Sequence, residues 1–265
     1  MDLGLRDRAC IITGASRGIG RQTAVMLAAE GAAVLLTGRD QDALERVAGE
    51  CRQAGGQAAT LALDIVEADA GERLLAVCLE RFDRIDALVN NAGTSRVRSL
   101  EQLTDEDWQQ QWELHVMAPM RLMRATAPEM ARRGWGRIVN VSSSSGKRPG
   151  QRNVAYSVTK AAELSLSRAF ADRYAGDGVL INSITPGPVG TGLWLDPGGL
   201  ADQVAEAQGR SRDQVLEAVV GGVPLGRLGT EQEMASVICF LCSERASYVT
   251  GAAWSVDGGS VPVIL

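Results

Sequence analysis

Tyr156 and Lys160 stand four residues apart in "YSVTK", where a helical pattern begins. That spacing puts both side chains on one helix face. Ser143 lies thirteen residues before the tyrosine, at the end of the apolar run "GRIVNVSS". A phenol, an ammonium and a hydroxyl in one place suit carbonyl chemistry. The phenol can hand a proton to a carbonyl oxygen, and the hydroxyl can hold that oxygen against it. A free tyrosine titrates near ~10, so a neighbouring positive charge is needed to favour its ionised form. By itself a Tyr-x-x-x-Lys pair is a very weak signal, better read as an exposed helical pair. The other suspect is His115 in "WELHVMAP", the only histidine of the chain. Imidazole titrates close to neutrality without assistance, which makes it the obvious general base.

A second constellation is "TGASRGIG", Thr13 to Gly20, which follows an apolar run and opens a helical one. A turn in that context offers backbone N–H groups and a helix N-terminus to a pyrophosphate. Gly14 permits the tight turn, Gly18 lets the backbone approach the ligand, and Gly20 lets helix and strand pack closely. No Gly-Lys-Ser/Thr follows, so this is not a Walker A loop. The next apolar run ends in "LLTGRD". An acid there would hold a ribose 2′-hydroxyl and repel a 2′-phosphate. This chain has Gly38 and Arg39 instead, with Arg17 in the glycine loop as a second cation. Two charge-assisted contacts of about 1.5–3 kcal/mol each would select NADP (NADPH) over NAD. Asp40 lies close enough to weaken that preference.

The elements that must position these groups alternate regularly. Strand-like runs "ACIITG", "AAVLLTG", "QAATLALD", "IDALVNNAG", "GRIVNVSS", "GVLINSITPG" and "AAWSVDGG" are separated by helical ones. Such alternation predicts an α/β fold, a doubly wound parallel sheet with helices on both faces. No linker or shift in composition divides residues 1–265, so we expect a single domain. "TDEDWQQQWELHVMAPMRLMRATAPEMARR" reads as one long helix capped by Thr104, and Thr230 with Glu233 forms a capping box on another. The exception is the stretch 190–229, too long for an ordinary connection. It carries Leu193, Trp194 and Leu195 and then an amphipathic helix, the pattern of a lid over an apolar substrate.

Composition excludes several roles. The net charge of −5 argues against a nucleic-acid partner. No apolar run has the length of a membrane span, and "MDLGLRDRACIITG" lacks a basic-then-apolar leader, so a cytoplasmic location is expected. The five cysteines are odd in number, and Cys239 and Cys242 have ordinary core spacing, with no second ligand pair to suggest a metal.

Taken together, "TGASRGIG", Asp64 after the third strand, "NNAG" (Asn90 to Gly93), Ser143, "YSVTK" and "PGPVGT" (Pro186 to Thr191) resemble the short-chain dehydrogenase/reductase (SDR) family over essentially the whole chain. In size and pattern the chain is similar to its 3-oxoacyl-(acyl-carrier-protein) reductase-like members. The resemblance implies a Rossmann-like sheet of seven strands, a nicotinamide cofactor, and hydride transfer between a small-molecule carbonyl and a secondary alcohol. It implies that Gly14, Ser16, Arg17, Gly18, Ile19, Gly20 and Arg39 hold the phosphates. Asp64 and Ile65 would hold the adenine, and Asn90, Ala92 and Gly93 would border the cofactor. Pro186, Gly187 and Val189 would bind the cofactor too, and Thr191 would steady the carboxamide. Tyr156 is implied as the acid/base, Ser143 as its partner on the carbonyl, and Lys160 as the ligand of the ribose hydroxyls. A homotetramer is implied too, and the apolar "VPVIL" ending agrees with a covered surface.

The chain departs from the family at one place. Seven residues after Trp108, where the family has a catalytic asparagine, stands His115. The family's proton relay uses the main-chain carbonyl at this position, so His115 is expected to be a backbone relay residue whose imidazole is structural. Pro119 cannot donate the helical bond to that carbonyl, which leaves it open to a water. Two rival readings compete with this one. A serine hydrolase on "SSSSG" lacks the G-x-S-x-G elbow and a following histidine. A non-catalytic NADP-binding sensor on the same scaffold is opposed by the intact Ser143, Tyr156 and Lys160.

Overall fold

A computed structural model of the chain describes residues 2–262. Seven strands form one parallel sheet: β1 (Ala9–Thr13), β2 (Ala33–Gly38), β3 (Gln57–Ala62), β4 (Ala87–Asn90), β5 (Gly136–Val141), β6 (Val179–Pro186) and β7 (Ala253–Val256), in the order β3-β2-β1-β4-β5-β6-β7. All seven expected strands are present. The central strands read as continuous apolar runs because helices cover both faces. Along β1 the side chains alternate between two cores. Cys10 and Ile12 pack with α1 (Gly18–Ala29), α2 (Gln41–Gln53) and α10 (Glu231–Leu241). Ile11 packs with α3 (Ala70–Phe82), α5 (Ala118–Arg132) and α6 (Val154–Tyr174). Cys239 and Cys242 lie in the first core, where burial pushes both thiols well up, against thiolate chemistry.

Strand order reverses between β1 and β4, which pair from Cys10↔Ala87 to Ile12↔Val89. The chain leaves β1 to build one half of the sheet and returns through β4 to build the other. A crevice therefore opens at the carboxyl ends of these strands. Thr13, Asn90, Val141 and Pro186 end their strands at that edge.

Two readings of the helices need correction. The long helix through His115 is three pieces: α4 (Asp105–Trp112), a π-helical turn at Glu113–Met117, and α5. The Ala118 N–H reaches back five residues to the Glu113 carbonyl. Pro119 in the first turn of α5 has no N–H with which to continue the α-helical ladder, so the chain absorbs one extra residue here. The capping box that starts α4 is present: Thr104 Oγ1 accepts from the Asp107 N–H at 3.2 Å. The 190–229 stretch holds not one helix but α7 (Gly192–Leu195), α8 (Leu200–Gln208) and α9 (Arg212–Gly221). Gly209, at φ +62°, ends α8, and Ser211 caps α9. Gly209 as a stop and Ser211 with Gln214 as a capping box are readable signals, which hydrophobic periodicity alone passes over.

Candidate active site

The glycine loop is built by close approach. Gly14 has φ +63°, and a Cβ there would lie 2.9 Å from Ala92 Cα. A Cβ on Gly20 would lie 2.4 Å from the Gly14 carbonyl oxygen, so α1 can pack on the turn only without a side chain. Gly18 has φ +62°, and a Cβ there would meet only the tips of two side chains, Glu231 Oε1 at 3.8 Å and the Thr191 methyl at 4.0 Å, so its backbone is left uncovered. The α1 N-terminus has an extended Arg17 as its cap, no capping side chain and no acid in its first turn. Its leading N–H groups and positive dipole end are thus not taken up by a capping side chain or an acid of their own helix, although the Glu231 carboxylate lies near Gly18. Asn91 secures the loop from below: its Nδ2 donates to the carbonyls of Thr13 (2.9 Å) and Gly14 (3.2 Å). Thr13 Oγ1 in turn accepts from the N–H groups of Asn91 and Ala92 at 2.9 and 3.0 Å. Both residues lie within the quoted motifs, yet the sequence reading gave neither this task.

The remaining cofactor candidates divide by position. Ser16 sits beside Gly38, Ile19 packs on the first core, and Ile65 is buried at the end of β3 next to the half-buried Asp64. Arg39 is exposed. Its neighbour Asp40 is engaged elsewhere, accepting the Ala43 N–H at 3.0 Å as the cap of α2. Arg17 points across the crevice and pairs with Asp196, just after α7, at 3.1 Å. Both partners are largely exposed, so this pair is weak and exchangeable. The Asn90 side chain turns into the sheet, where Nδ2 donates to Asn140 Oδ1 at 2.8 Å. Ala92 and Gly93 continue from it toward the crevice. Gly187 approaches Asp257 so closely that a Cβ would lie 2.8 Å from its Cα, and Val189 bridges to Gly229. Thr191 faces the glycine loop, with its methyl 4.0 Å from the Cβ position of Gly18. The uncapped α1 N-terminus and the cradle at Gly18 fit a dinucleotide.

On the other side of the crevice β5 is fastened to α6. Ser142 Oγ donates to the Lys160 carbonyl at 2.9 Å. Ser143, at 9% exposure, accepts the Ser145 N–H at 3.1 Å, which leaves its own O–H to donate. The half-buried Tyr156 and the buried Lys160 come from the first two turns of α6. Lys160 Nζ lies 5.9 Å from the centre of the Tyr156 ring. It donates to the Val141 carbonyl and to Glu163 Oε2, both at 2.9 Å. Glu163 was not singled out from the sequence, although an acid three residues after a lysine on a helix is a readable pair.

His115 completes the group. Its ring meets that of Tyr156 edge-on, at 5.3 Å and 85°. Nε2 accepts the Thr94 N–H at 3.3 Å, and Nδ1 lies 3.1 Å from Thr159 Oγ1. The Thr159 hydroxyl already donates to the Tyr156 carbonyl, so Nδ1 carries the proton and donates to it. Both ring nitrogens are used, and the imidazole is neutral. Burial, then the charge of Lys160, push its pKa well below the ordinary histidine value. The expected bond to neighbouring backbone is the one from Thr94. The partner Thr159, one residue before the lysine, was not anticipated.

A family model described as Enoyl-(Acyl carrier protein) reductase matches residues 14–260. The short-chain reductase protein NovJ of Streptomyces niveus is 35% identical, the match covering 96% of this chain and 94% of NovJ. The 3-oxoacyl-(acyl-carrier-protein) reductase FabG of Thermotoga maritima is 31% identical over 97% of this chain and 99% of its own. Among solved structures, L-sorbose reductase from Gluconobacter frateurii, complexed with NADPH and L-sorbose, superposes with a TM-score of 0.92 at 34% identity, covering both chains fully. With its seven parallel strands, its glycine loop and these relatives along its whole length, the chain belongs to the short-chain dehydrogenase/reductases, a family of NAD(P)-dependent oxidoreductases acting on CH–OH and C=O groups.

Proposed function

We propose that the protein is an NADP(H)-dependent oxidoreductase that interconverts a carbonyl and a secondary alcohol, with Tyr156 as its acid/base. The observation that carries this reading is the seating of Lys160. It is buried between the end of β5 and Tyr156, on the crevice edge that also holds the open glycine loop. The nicotinamide, when bound, supplies or accepts the hydride. Ser143 directs its hydroxyl at the carbonyl oxygen and holds it for proton transfer. In reduction Tyr156 gives its phenol proton to that oxygen; in oxidation the phenolate takes the proton back. Lys160 keeps a positive charge beside the phenol and has one ammonium hydrogen left for the ribose or a water. The His115 carbonyl, with no Pro119 N–H to claim it, receives that water at the solvent end of the relay.

Preference for NADP rests on Arg39, exposed just after β2 with its neighbour Asp40 turned to the cap of α2, and on Arg17, which can leave Asp196 for a 2′-phosphate. The NADPH in the L-sorbose reductase structure is consistent with this choice. The segment 190–229 acts as the substrate lid. Leu193 and Trp194 are half-buried and Leu195 is 37% exposed, which suits a partly apolar substrate larger than acetone. The polyhydroxylated substrate of L-sorbose reductase marks the other possibility within the same fold. A panel of keto esters, aliphatic ketones and ketoses, followed by NADPH absorbance, separates the two.

Tyr156→Phe tests the central claim. It deletes one oxygen, so the fold and NADPH binding should survive while turnover falls by a factor on the order of 10³ or more. Substantial turnover in this variant would assign the acid elsewhere. NADPH binding without oxidation by any carbonyl in the panel would favour the sensor.

A further inference from the structure

Lys160 and Glu163 form an ion pair with both side chains almost wholly buried, at 4% and 2% exposure. The reading of Lys160 as the charge that acts on Tyr156 does not call for this carboxylate, and it has consequences. An ammonium has three hydrogens, and here one goes to the Val141 carbonyl and one to Glu163 Oε2. The lysine is thus pinned to the end of β5, and a unit negative charge lies 2.9 Å from its positive one. At a third group several ångströms away, such a pair acts more like a dipole than a full charge. Burial is the stronger influence on the Glu163 carboxyl and pushes it up, against Lys160 and the Ser142 hydroxyl, which favour the charged form. The other groups around the pair are Tyr156 on the same helix and the neutral His115 on the π-helical turn. Among the described residues Lys160 is the charged group acting on Glu163.

We propose that Glu163 is a positioning residue that sets the working pH of Tyr156. It fixes Lys160 against β5 and offsets much of its charge at the phenol, so the proton stays on Tyr156 to higher pH than beside an unpaired lysine. This favours the proton-donating, carbonyl-reducing direction. The inference rests on the proposed function, because it concerns the field at the proposed acid.

Glu163→Gln tests it by removing the charge while keeping an oxygen for the ammonium. The phenolate is then favoured. The pH at which alcohol oxidation switches on, and that at which carbonyl reduction switches off, should both fall by on the order of one unit. In cofactor-free protein, the phenolate absorbance that Tyr156 contributes, read as the difference from the matching Tyr156→Phe protein, should appear at lower pH by the same amount. Glu163→Asp keeps the charge and should return both limbs toward wild type. If the Gln variant does not fold, Glu163→Met, of similar volume and uncharged, should give the same shift. Limbs that stay within about 0.3 unit of wild type, or that move to higher pH, overturn the proposal. If Tyr156→Phe retains turnover, the proposed function has failed. If it is inactive and the limbs of Glu163→Gln do not fall, only the present inference has failed.

Discussion

His115→Asn places the family's usual residue where this chain carries its only histidine, and it separates a structural imidazole from a catalytic one. In the folded chain the imidazole is neutral and its pKa is pushed well down by burial and by Lys160. In the unfolded chain it titrates near ~6.5. The unfolded state therefore binds more protons below that pH. The stabilisation from keeping the imidazole neutral is fully present above ~6.5 and is lost as pH falls toward the folded value. With the folded imidazole staying neutral, acidification from pH 7 to 5.5 costs about 1.3 kcal/mol, and each further unit costs about 1.4 kcal/mol. For a chain of this size, 1.3 kcal/mol corresponds to about 3–5 °C in Tm. The Asn variant loses the two ring-nitrogen bonds at a pH-independent cost of about 1–2 kcal/mol, but it lacks this acid-side slope. Thermal unfolding of both proteins between pH 7.5 and 5 should show the Tm difference narrowing as pH falls. Turnover of the variant should stay within about tenfold of wild type, short of the 10²–10⁴ contributed by a general acid or base. A larger loss, together with disappearance of a limb between pH ~6 and ~7, would make the imidazole part of the proton path. A constant Tm difference across the range would refute the neutral, buried assignment.

Other expectations follow from single contacts. Gly20→Ala pushes a methyl to within 2.4 Å of the Gly14 carbonyl, backbone against backbone, and should cost about 1–3 kcal/mol of stability and loosen NADPH binding; a Tm within 1 °C of wild type would show that the turn can relax. NADPH should bind more tightly than NADH, and Arg39→Asp should weaken NADPH by about tenfold to a hundredfold while sparing NADH; equal dissociation constants in the wild type would remove Arg39 from the 2′-phosphate. Light scattering at micromolar concentration should give the mass of a tetramer. The "VPVIL" behind that expectation runs into residues 263–265, outside the described residues; the structure itself exposes the apolar side chain of Val158 on α6. A monomer mass would refute it.

Local chemistry was legible in the chain itself. The strands announce themselves because a strand covered on both faces must be largely apolar, and β1 and β2 are, apart from a threonine near the end of each. The caps at Thr104 and Thr230 are legible because a capping box needs only residues three apart. The glycines of the loop, and Tyr156 with Lys160, sit in motifs whose spacing already implies their geometry. Contacts between distant segments were not legible. That Nε2 of His115 takes the Thr94 N–H while Thr159 takes the other side depends on three segments meeting at one ring. The break of the long helix at Glu113–Met117 was half legible: Pro119 marks where the ladder lapses, but apolar periodicity continues across it and does not show a π-helical turn. The pairing of Arg17, a phosphate-ligand candidate, with Asp196 joins residues 179 positions apart. Sequence spacing fixes which side chains share an element and a face. Which buried group ends beside which charge is decided when the elements pack, because desolvation and pairing act through space rather than along the chain.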